Sequence, residues 1–352
     1  MTNQTAKSSP NIWAIGIAAG AATFLLVLLS GVGGGVIALV VPLPGLVVGL
    51  AYGWPVAALA GLVGASMTFL FSQGSGIAGL AYAVVVALPV VLLAHLTGAW
   101  RTPDGRLVDS FKAHPATIDG VDPRDPGVWL SPSSLLTAIV FIAVALASMM
   151  TLAFGVDDTR YTANVHEALD SLLDTRLAPG LREQLTPDQL GSLKEGVALV
   201  LPAAAAIGWM LAMCLNLWLA GRITAARGLL ARPVPPLRET ALPRILLFGL
   251  GIALIVINLG GAPGRVAIAF AGAAVFALVL IGLAVIHEWS LGRSARAFIL
   301  GIIYAGLLFV GHLVAPFLAA LAIADFAFGF RPRLRARRVS SGPPPPLAPG
   351  QD

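Results

Sequence analysis

From Trp13 to Phe330 the chain alternates long apolar runs with short polar loops. A helix needs roughly 20 apolar residues to cross the ~30 Å hydrocarbon core of a bilayer, and most of these runs come close to that length. Lipid offers backbone groups no partners, so each run is expected to be helical. Four runs follow one another closely: Trp13–Ser30, Val32–Leu50, Pro55–Phe71 and Gly76–Gly98. Their linkers carry no charge. Gly31 and Gly33–Gly35 are expected to form the first turn, Tyr52–Pro55 the second and Ser72–Ser75 the third. Glycine permits the positive φ of tight turns, and proline suits the start of the next helix. Further runs cover Ser133–Phe154, Gly196–Ala220, Leu242–Leu259, Pro263–Ile286 and Ala297–Phe330.

Two polar stretches interrupt this series. Ala99–Pro132 mixes Arg101, Arg106, Lys112 and Arg124 with aspartates and reads as a loop. Gly155–Glu195 is longer and partly helical, with Val165, Leu169, Leu172 and Leu173 expected on one helical face. Pro179-Gly180 is expected to end that segment. Thr186-Pro187-Asp188-Gln189 has the pattern of an N-cap, an N1 proline and an N3 partner, opening a helix that runs on into the span at Gly196. The amphipathic segment reads either as a lid or docking element or as a helix resting on the membrane, the latter favoured.

Charge bias sets the expected orientation. With the N-terminus in the cytoplasm, the basic loops at Ala99, Gly221 and His287 all fall inside, and the acidic stretch Gly155–Glu195 and the small loop with Arg265 fall outside. Arg331, Arg333, Arg335, Arg337 and Arg338 also belong inside, which requires an even number of crossings in Ala297–Phe330. That block is too long for one upright helix, so a hairpin at Gly311–Pro316 is expected, with a single tilted helix as the alternative. The fold class is therefore an all-α polytopic helical bundle, with about ten crossings in a range of eight to ten and both termini cytoplasmic. Residues 1–12 form a short N-terminus, 13–330 a single membrane domain, and 331–352 a basic and then Pro-rich tail. From Ser340 onward, with Pro343–Pro346, that tail is expected to be disordered.

Composition agrees. The chain of 352 residues is 57% hydrophobic and 11% charged, against about 25% charged in soluble domains. The net charge of +5 would suggest nucleic acid in a soluble protein. Here the basic residues flank apolar runs and act first as topology signals, so the expected partner is the lipid bilayer and not nucleic acid. The basic stretch before the tail is also a candidate for contact with anionic lipid, with topology the favoured reading. Cys214 is the only cysteine, which excludes an internal disulfide and a thiolate metal cluster. Lys7 precedes the first run, but a second span follows at once, so that run is expected to be a retained anchor.

Candidate chemistry lies in the polar residues of the spans, which are costly there and functional by default. Asp325 leads, read either as a proton or ligand site or as an ion pair with Arg331, Arg293 or Arg296. His287 and Glu288 close the preceding span and read either as one cytoplasmic-side cluster with Arg293, Arg296 and Asp325 or, for His287, as a histidine snorkelling to the interface. Asn216 and Asn258 are candidates for ligand binding, with hydrogen bonding across helices as the plainer role. Ala14, Ala18 and Ala22 recur every four residues, as do Gly16 and Gly20, and offer a face on which a partner helix can approach closely. The sequence carries no GxxxxGK[ST], HExxH, CxxC or nucleophile elbow. No catalytic residue, metal or cofactor is therefore expected, and the protein is read as not an enzyme.

The C-terminal third carries a recognisable pattern. Gly282 through His287, Arg293 or Arg296, Tyr304 in an apolar run, Pro316, and Asp325 before Arg331 resemble the YybS-like family of uncharacterised bacterial membrane proteins (domain of unknown function 2232). Asn216 through Arg222, Arg232-Pro233, and Val41-Pro42-Leu43-Pro44 are similar to members of that family as well. The resemblance implies a distant likeness to the substrate-binding S-components of energy-coupling-factor transporters and to the rod-shape protein MreD. In S-components a small-residue face on the first span docks the coupling subunit, and Ala14, Ala18 and Ala22 stand where such a face would be. The expected function is a multi-pass protein of the bacterial inner membrane that binds or moves a small molecule, with its site among spans five to ten, energy from a separate ATPase or an ion gradient, and a membrane protein partner or an ATPase coupling subunit as the expected protein partner. The alternative is a non-transporting scaffold of the cell envelope.

Overall fold

A computed structural model of the chain describes residues 11–33, 35–118, 120–125, 127–174, 184–235 and 237–340. Gly34 of the expected first turn, the helix end at Pro179-Gly180, and the tail from residue 341 lie outside the described residues. The elements are α1 (Ile12–Gly33), α2 (Gly35–Leu39), α3 (Leu43–Tyr52), α4 (Trp54–Phe71), α5 (Gly76–Tyr82), α6 (Leu88–Thr97), β1 (Ala99–Arg101), β2 (Leu107–Asp109), α7 (Pro132–Phe154), α8 (Asp158–Leu172), α9 (Pro187–Ala226), α10 (Arg244–Val256), α11 (Gly261–Trp289), α12 (Arg296–Phe328) and α13 (Phe330–Ser340). Eight helical stretches among the described residues are long and apolar enough to cross a membrane, and Arg244–Leu259 is a shorter apolar one. The protein is an all-α, multi-pass membrane protein. Its helices fall into two compact units, Met1–Pro235 with Phe248–Ala273, and Pro236–Leu247 with Ala274–Asp352.

In the first unit α1 packs along α4 and α3. Glycines make this possible: a Cβ on Gly20 would stand 2.5 Å from the Ala60 carbonyl oxygen, and one on Gly16 3.0 Å from Val56. Gly31 and Gly33 of the expected first turn lie instead in α1, and Gly35 opens α2. Prolines then break the second and fourth spans, and α9 answers both breaks. At Pro42 the Leu43 amide turns to the Val40 carbonyl, and Asn216 Nδ2 donates to the Leu39 oxygen at 2.5 Å. Pro89 has no N–H to give the Val85 carbonyl. The helix widens to a π turn over Ala83–Ala87, and Trp209 Nε1 donates to Val85 O at 3.2 Å. Trp209 and Asn216 are seven residues apart, two helical turns, and so share a face of α9.

The capping box at Thr186 and Gln189 is present, and α9 runs 40 residues from Pro187, extending well before the expected start of the span. Its first turns receive α8. The Tyr161 hydroxyl donates to Ala198 O at 2.8 Å, Lys194 pairs with Asp170 at 2.7 Å, and Tyr161 and Val165 pack with Ala198, Phe154 and Leu201. The apolar face of α8 is thus covered by protein, which corrects the expectation of a helix resting on lipid. Tyr161, Val165, Leu169 and Leu173 are buried, whereas Leu172 is 46% exposed, one helical step off that face. Arg265, at the start of α11, locks the corner before α8. It donates to Gly155 O at 2.9 Å and Val156 O at 2.7 Å, pairs with Asp158, and lies over the Tyr161 ring at 4.4 Å.

The stretch Ala99–Pro132, expected as a plain loop, is folded. β1 and β2 pair antiparallel with Trp100 opposite Val108. Trp100 is fully buried and donates to Ala113 O, and buried Trp129 donates to Pro123 O. Two indoles in so short a segment supply an apolar centre, and their N–H groups satisfy loop carbonyls.

In the second unit Val279 and Leu283 of α11 pack with Leu318 of α12. Gly282 permits this contact, since a Cβ there would overlap the Leu318 carbonyl. α12 is not straight. Val310 leaves helical geometry (φ −134°, ψ 41°), and a Cβ on Gly306 would stand 3.0 Å from Val314 Cγ2. Eight residues of straight helix separate such positions by about 12 Å. The last apolar block therefore folds back on itself, at Val310 rather than across Gly311–Pro316. Gly329, with left-handed φ 63°, then ends α12 and lets the arginine-rich stretch begin as helix α13.

Candidate functional site

The cluster expected around Asp325 lies within the second unit. Asp325 is 5% exposed and Arg331 7%. The carboxylate accepts from Arg331 Nε at 2.7 Å and from the Arg331 amide at 2.9 Å. Arg331 Nη1 also donates to the carbonyls of Arg238 and Thr240, at 3.1 and 2.6 Å. Glu288 is 2% exposed and faces Arg335 at 3.3 Å and Arg238 at 3.9 Å. These carboxylates are held by arginines, which is the ion-pair reading. Of the expected partners, Arg293 turns elsewhere: its guanidinium lies over the Trp289 ring at 4.0 Å and donates to Trp289 O. Arg296 opens α12 and forms no ion pair with Asp325. His287 Nε2 stands 3.0 Å from the Tyr304 hydroxyl.

The two asparagines part company. Asn216 is fully buried and holds Leu39 O and Ala212 O. Asn258 is exposed and donates to Leu254 O and Ile255 O of its own helix, and to no other helix among the described residues. On α1 the glycines face α4, while Ala14 and Ala18 are exposed and Ala22 is half-buried.

A cavity of about 280 Å³ lies in the first unit, where the end of α3, the start of α4 and the end of α6 meet the folded stretch Ala99–Pro132 (the cap) and residues 230–232. Its wall includes Trp54, Asp109, Ser110, Phe111, His114 and Arg232. Gly53, with φ +94°, makes the turn between α3 and α4 and leaves space for the Phe111 ring, 2.9 Å from where a Cβ would stand. Asp109 accepts from the Phe111 amide and is 2.9 Å from His95 Nδ1. Arg232 is 8% exposed. Its Nη1 donates to Leu130 O at 3.1 Å and Thr97 O at 3.5 Å, and its guanidinium lies 5.8 Å from the Trp129 ring centre. Among the described residues no carboxylate lies within ion-pair distance of it. Burial pushes its pKa down to about 10, because desolvation disfavours the charged form. Arg232 Nε and Trp54 Nε1 are both buried with no hydrogen-bond acceptor among the described residues. Such donors are costly unless an acceptor arrives. The arrangement suits a small molecule bearing an anionic or strongly accepting group.

Nothing in the sequence marks this site. Arg232 was one of several loop arginines that topology already explained, and Trp54 marked only a turn. Among the described residues no group of three or more His, Cys, Asp or Glu is placed to hold a metal ion.

A family model described as a predicted membrane protein (DUF2232) matches residues 128–326, more than half of the chain. The chain belongs to this family. No curated protein and no solved structure matches it. The DUF2232 match runs from the end of the cap through α7–α11 to Phe326 in α12, so it includes Arg232, Glu288 and Asp325. Trp54, Asp109 and His114 lie before the matched stretch. The match supports the family part of the resemblance and does not extend it to S-components or MreD.

Proposed function

We propose that this DUF2232 protein binds a small anionic molecule in the cavity beside Arg232, as a substrate-binding component of a transport system and not as an enzyme. The observation that carries this is the pair of buried donors, Arg232 Nε and Trp54 Nε1, without acceptors in one polar and aromatic cavity. Binding pockets typically combine apolar walls with a few placed polar groups, and span roughly 300–1,000 Å³. A volume of about 280 Å³ sets a small ligand.

We place the protein in the bacterial inner membrane. The positive-inside rule puts the cap, residues 227–243 and α13 on the cytoplasmic side, so the cavity opens toward the cytoplasm. The fold-back at Val310 returns α12 to the side it started from, which lets Arg331–Arg338 lie inside with the other basic segments. The arm before Val310, 14 residues from Arg296, is about 21 Å long, short of a full crossing.

A second reading rests on α1. Ala14 and Ala18 are exposed and open a small-residue face to another helix. It suits a coupling subunit in the transport reading, or an envelope scaffold if no ligand is bound.

Native mass spectrometry of the protein extracted gently from its own membranes tests the choice. The expected result is an anionic small molecule bound to the wild type and at least tenfold depleted in Arg232→Gln. Stable protein partners with no ligand would replace the transport reading with the scaffold. An ATPase among partners of the ligand-bound protein would identify the energy source.

A further inference from the structure

A larger cavity, about 600 Å³, lies in the second unit where the two arms of folded-back α12 meet the end of α11 and the start of α13. Ile299 and Ile303 come from the first arm, Phe317 and Leu321 from the second, and Trp289 and Arg333 from the flanking helices. Apart from Arg333 the wall is apolar. In an unbroken helix Ile299 and Leu321 would be about 33 Å apart, so the break at Val310 creates this space.

The charges around it are unequal in their pairing. Arg331 is consumed by Asp325 and Arg335 by Glu288. Arg333 is exposed, and among the described residues no carboxylate lies within ion-pair distance of it or of Arg293. Arg293 lies over the ring of Trp289, which is itself part of the wall. An apolar cleft is thus lined by one guanidinium, Arg333, with no described carboxylate in ion-pair distance, and a second, Arg293, stands over its Trp289 wall. The chain spans a membrane, and the available molecule that combines an anion with an acyl chain is a phospholipid of the surrounding leaflet.

We propose that this cleft holds one acyl chain of an anionic phospholipid, with its phosphate against Arg333 and Arg293. Apolar burial between Ile303 and Phe317 retains the chain. The arginines select headgroup charge, and each basic residue near the surface is worth about fivefold in affinity for anionic lipid. Arginine rather than lysine suits the phosphate, because its planar fork bonds two oxygens at once. The site is independent of the Arg232 cavity, and its failure would leave that reading intact.

Trp289 is a built-in reporter. The full-length protein in mixed micelles is titrated with brominated phosphatidylglycerol or brominated phosphatidylcholine, and the Trp289 signal is the wild-type fluorescence less that of Trp289→Phe. The expected result is quenching at a several-fold lower mole fraction by phosphatidylglycerol. In Arg333→Gln that preference falls about fivefold. Ile303→Phe, which fills the cleft and keeps both arginines, is expected to weaken quenching by both lipids. Equal quenching of the wild type by the two lipids would overturn the proposal. An unchanged preference in Arg333→Gln would overturn it too, assigning the effect to the other arginines of α13. Unchanged quenching in Ile303→Phe would show a lipid at the surface and not in the cleft.

Discussion

Replacing Arg265 with methionine keeps an apolar stem of similar reach and removes the fork that holds the corner between α7 and α8. Two charge-assisted hydrogen bonds are lost, to Gly155 O and Val156 O, each worth about 1.5–3 kcal/mol. The contact over Tyr161 adds roughly 0.5–1 kcal/mol. Against this, Met no longer buries a guanidinium whose Nε has no acceptor among the described residues, which returns about 1–3 kcal/mol. The net loss is on the order of 2–4 kcal/mol. The ion pair with Asp158 contributes little, because that carboxylate is 66% exposed, and exposed pairs are worth about 0–1 kcal/mol. The loss falls on the docking of α8, so hydrogen exchange of the Tyr161–Leu169 amides is the assay. Exchange there is expected to quicken roughly 30- to 1,000-fold in Arg265→Met, with α4 unaffected. Asp158→Asn should change it by less than about fivefold. Equal effects of the two substitutions would refute the reasoning, because the ion pair and not the carbonyls would then hold the corner. Unchanged exchange in Arg265→Met would refute it as well.

Two predictions concern the second unit. Asp325→Asn breaks an ion pair buried on both sides and is expected to lower stability by about 3–5 kcal/mol, read as an earlier midpoint when helical circular dichroism is followed through a dodecyl sulfate titration. Asp104→Asn, in the exposed pair with Arg106, should leave that midpoint unchanged. Gly282→Val forces a side chain onto the Leu318 carbonyl, and because backbone cannot yield cheaply a loss of about 1–3 kcal/mol is expected. The readout is faster proteolysis of residues 296–328, and wild-type resistance would show that α11 and α12 do not pack through Gly282.

The helical character and approximate placement of the spans were legible in the sequence because lipid leaves the backbone one local solution per run, whereas the expected ten crossings stand against eight long apolar helices and one shorter one among the described residues. The Thr186 capping box was legible for a similar reason, since its bonds close within four residues. The fold-back of the last block followed from its length, although its position at Val310 did not. Asn216 and Asn258 look alike in sequence. One proved to hold the carbonyl left over at the Pro42 break and the other to bond its own turn. On α1 the repeats at Gly16 and Gly20 and at Ala14 and Ala18 follow the same spacing, and only packing showed that the glycines meet α4.

The sequence by itself therefore determined what depends on neighbours in the chain: helical spans, their caps, and the expected sidedness of the loops. The tertiary structure decided which polar groups are spent and which are free. Asp325 is occupied by an arginine six residues away in the chain and Glu288 by one 47 residues away. Arg232 has two carbonyls but no carboxylate, and Arg333 faces an apolar cleft. The difference is set by distance, because a charge is neutralised by whatever stands within a few ångströms of it. For these residues those neighbours are assembled from segments up to 135 residues apart.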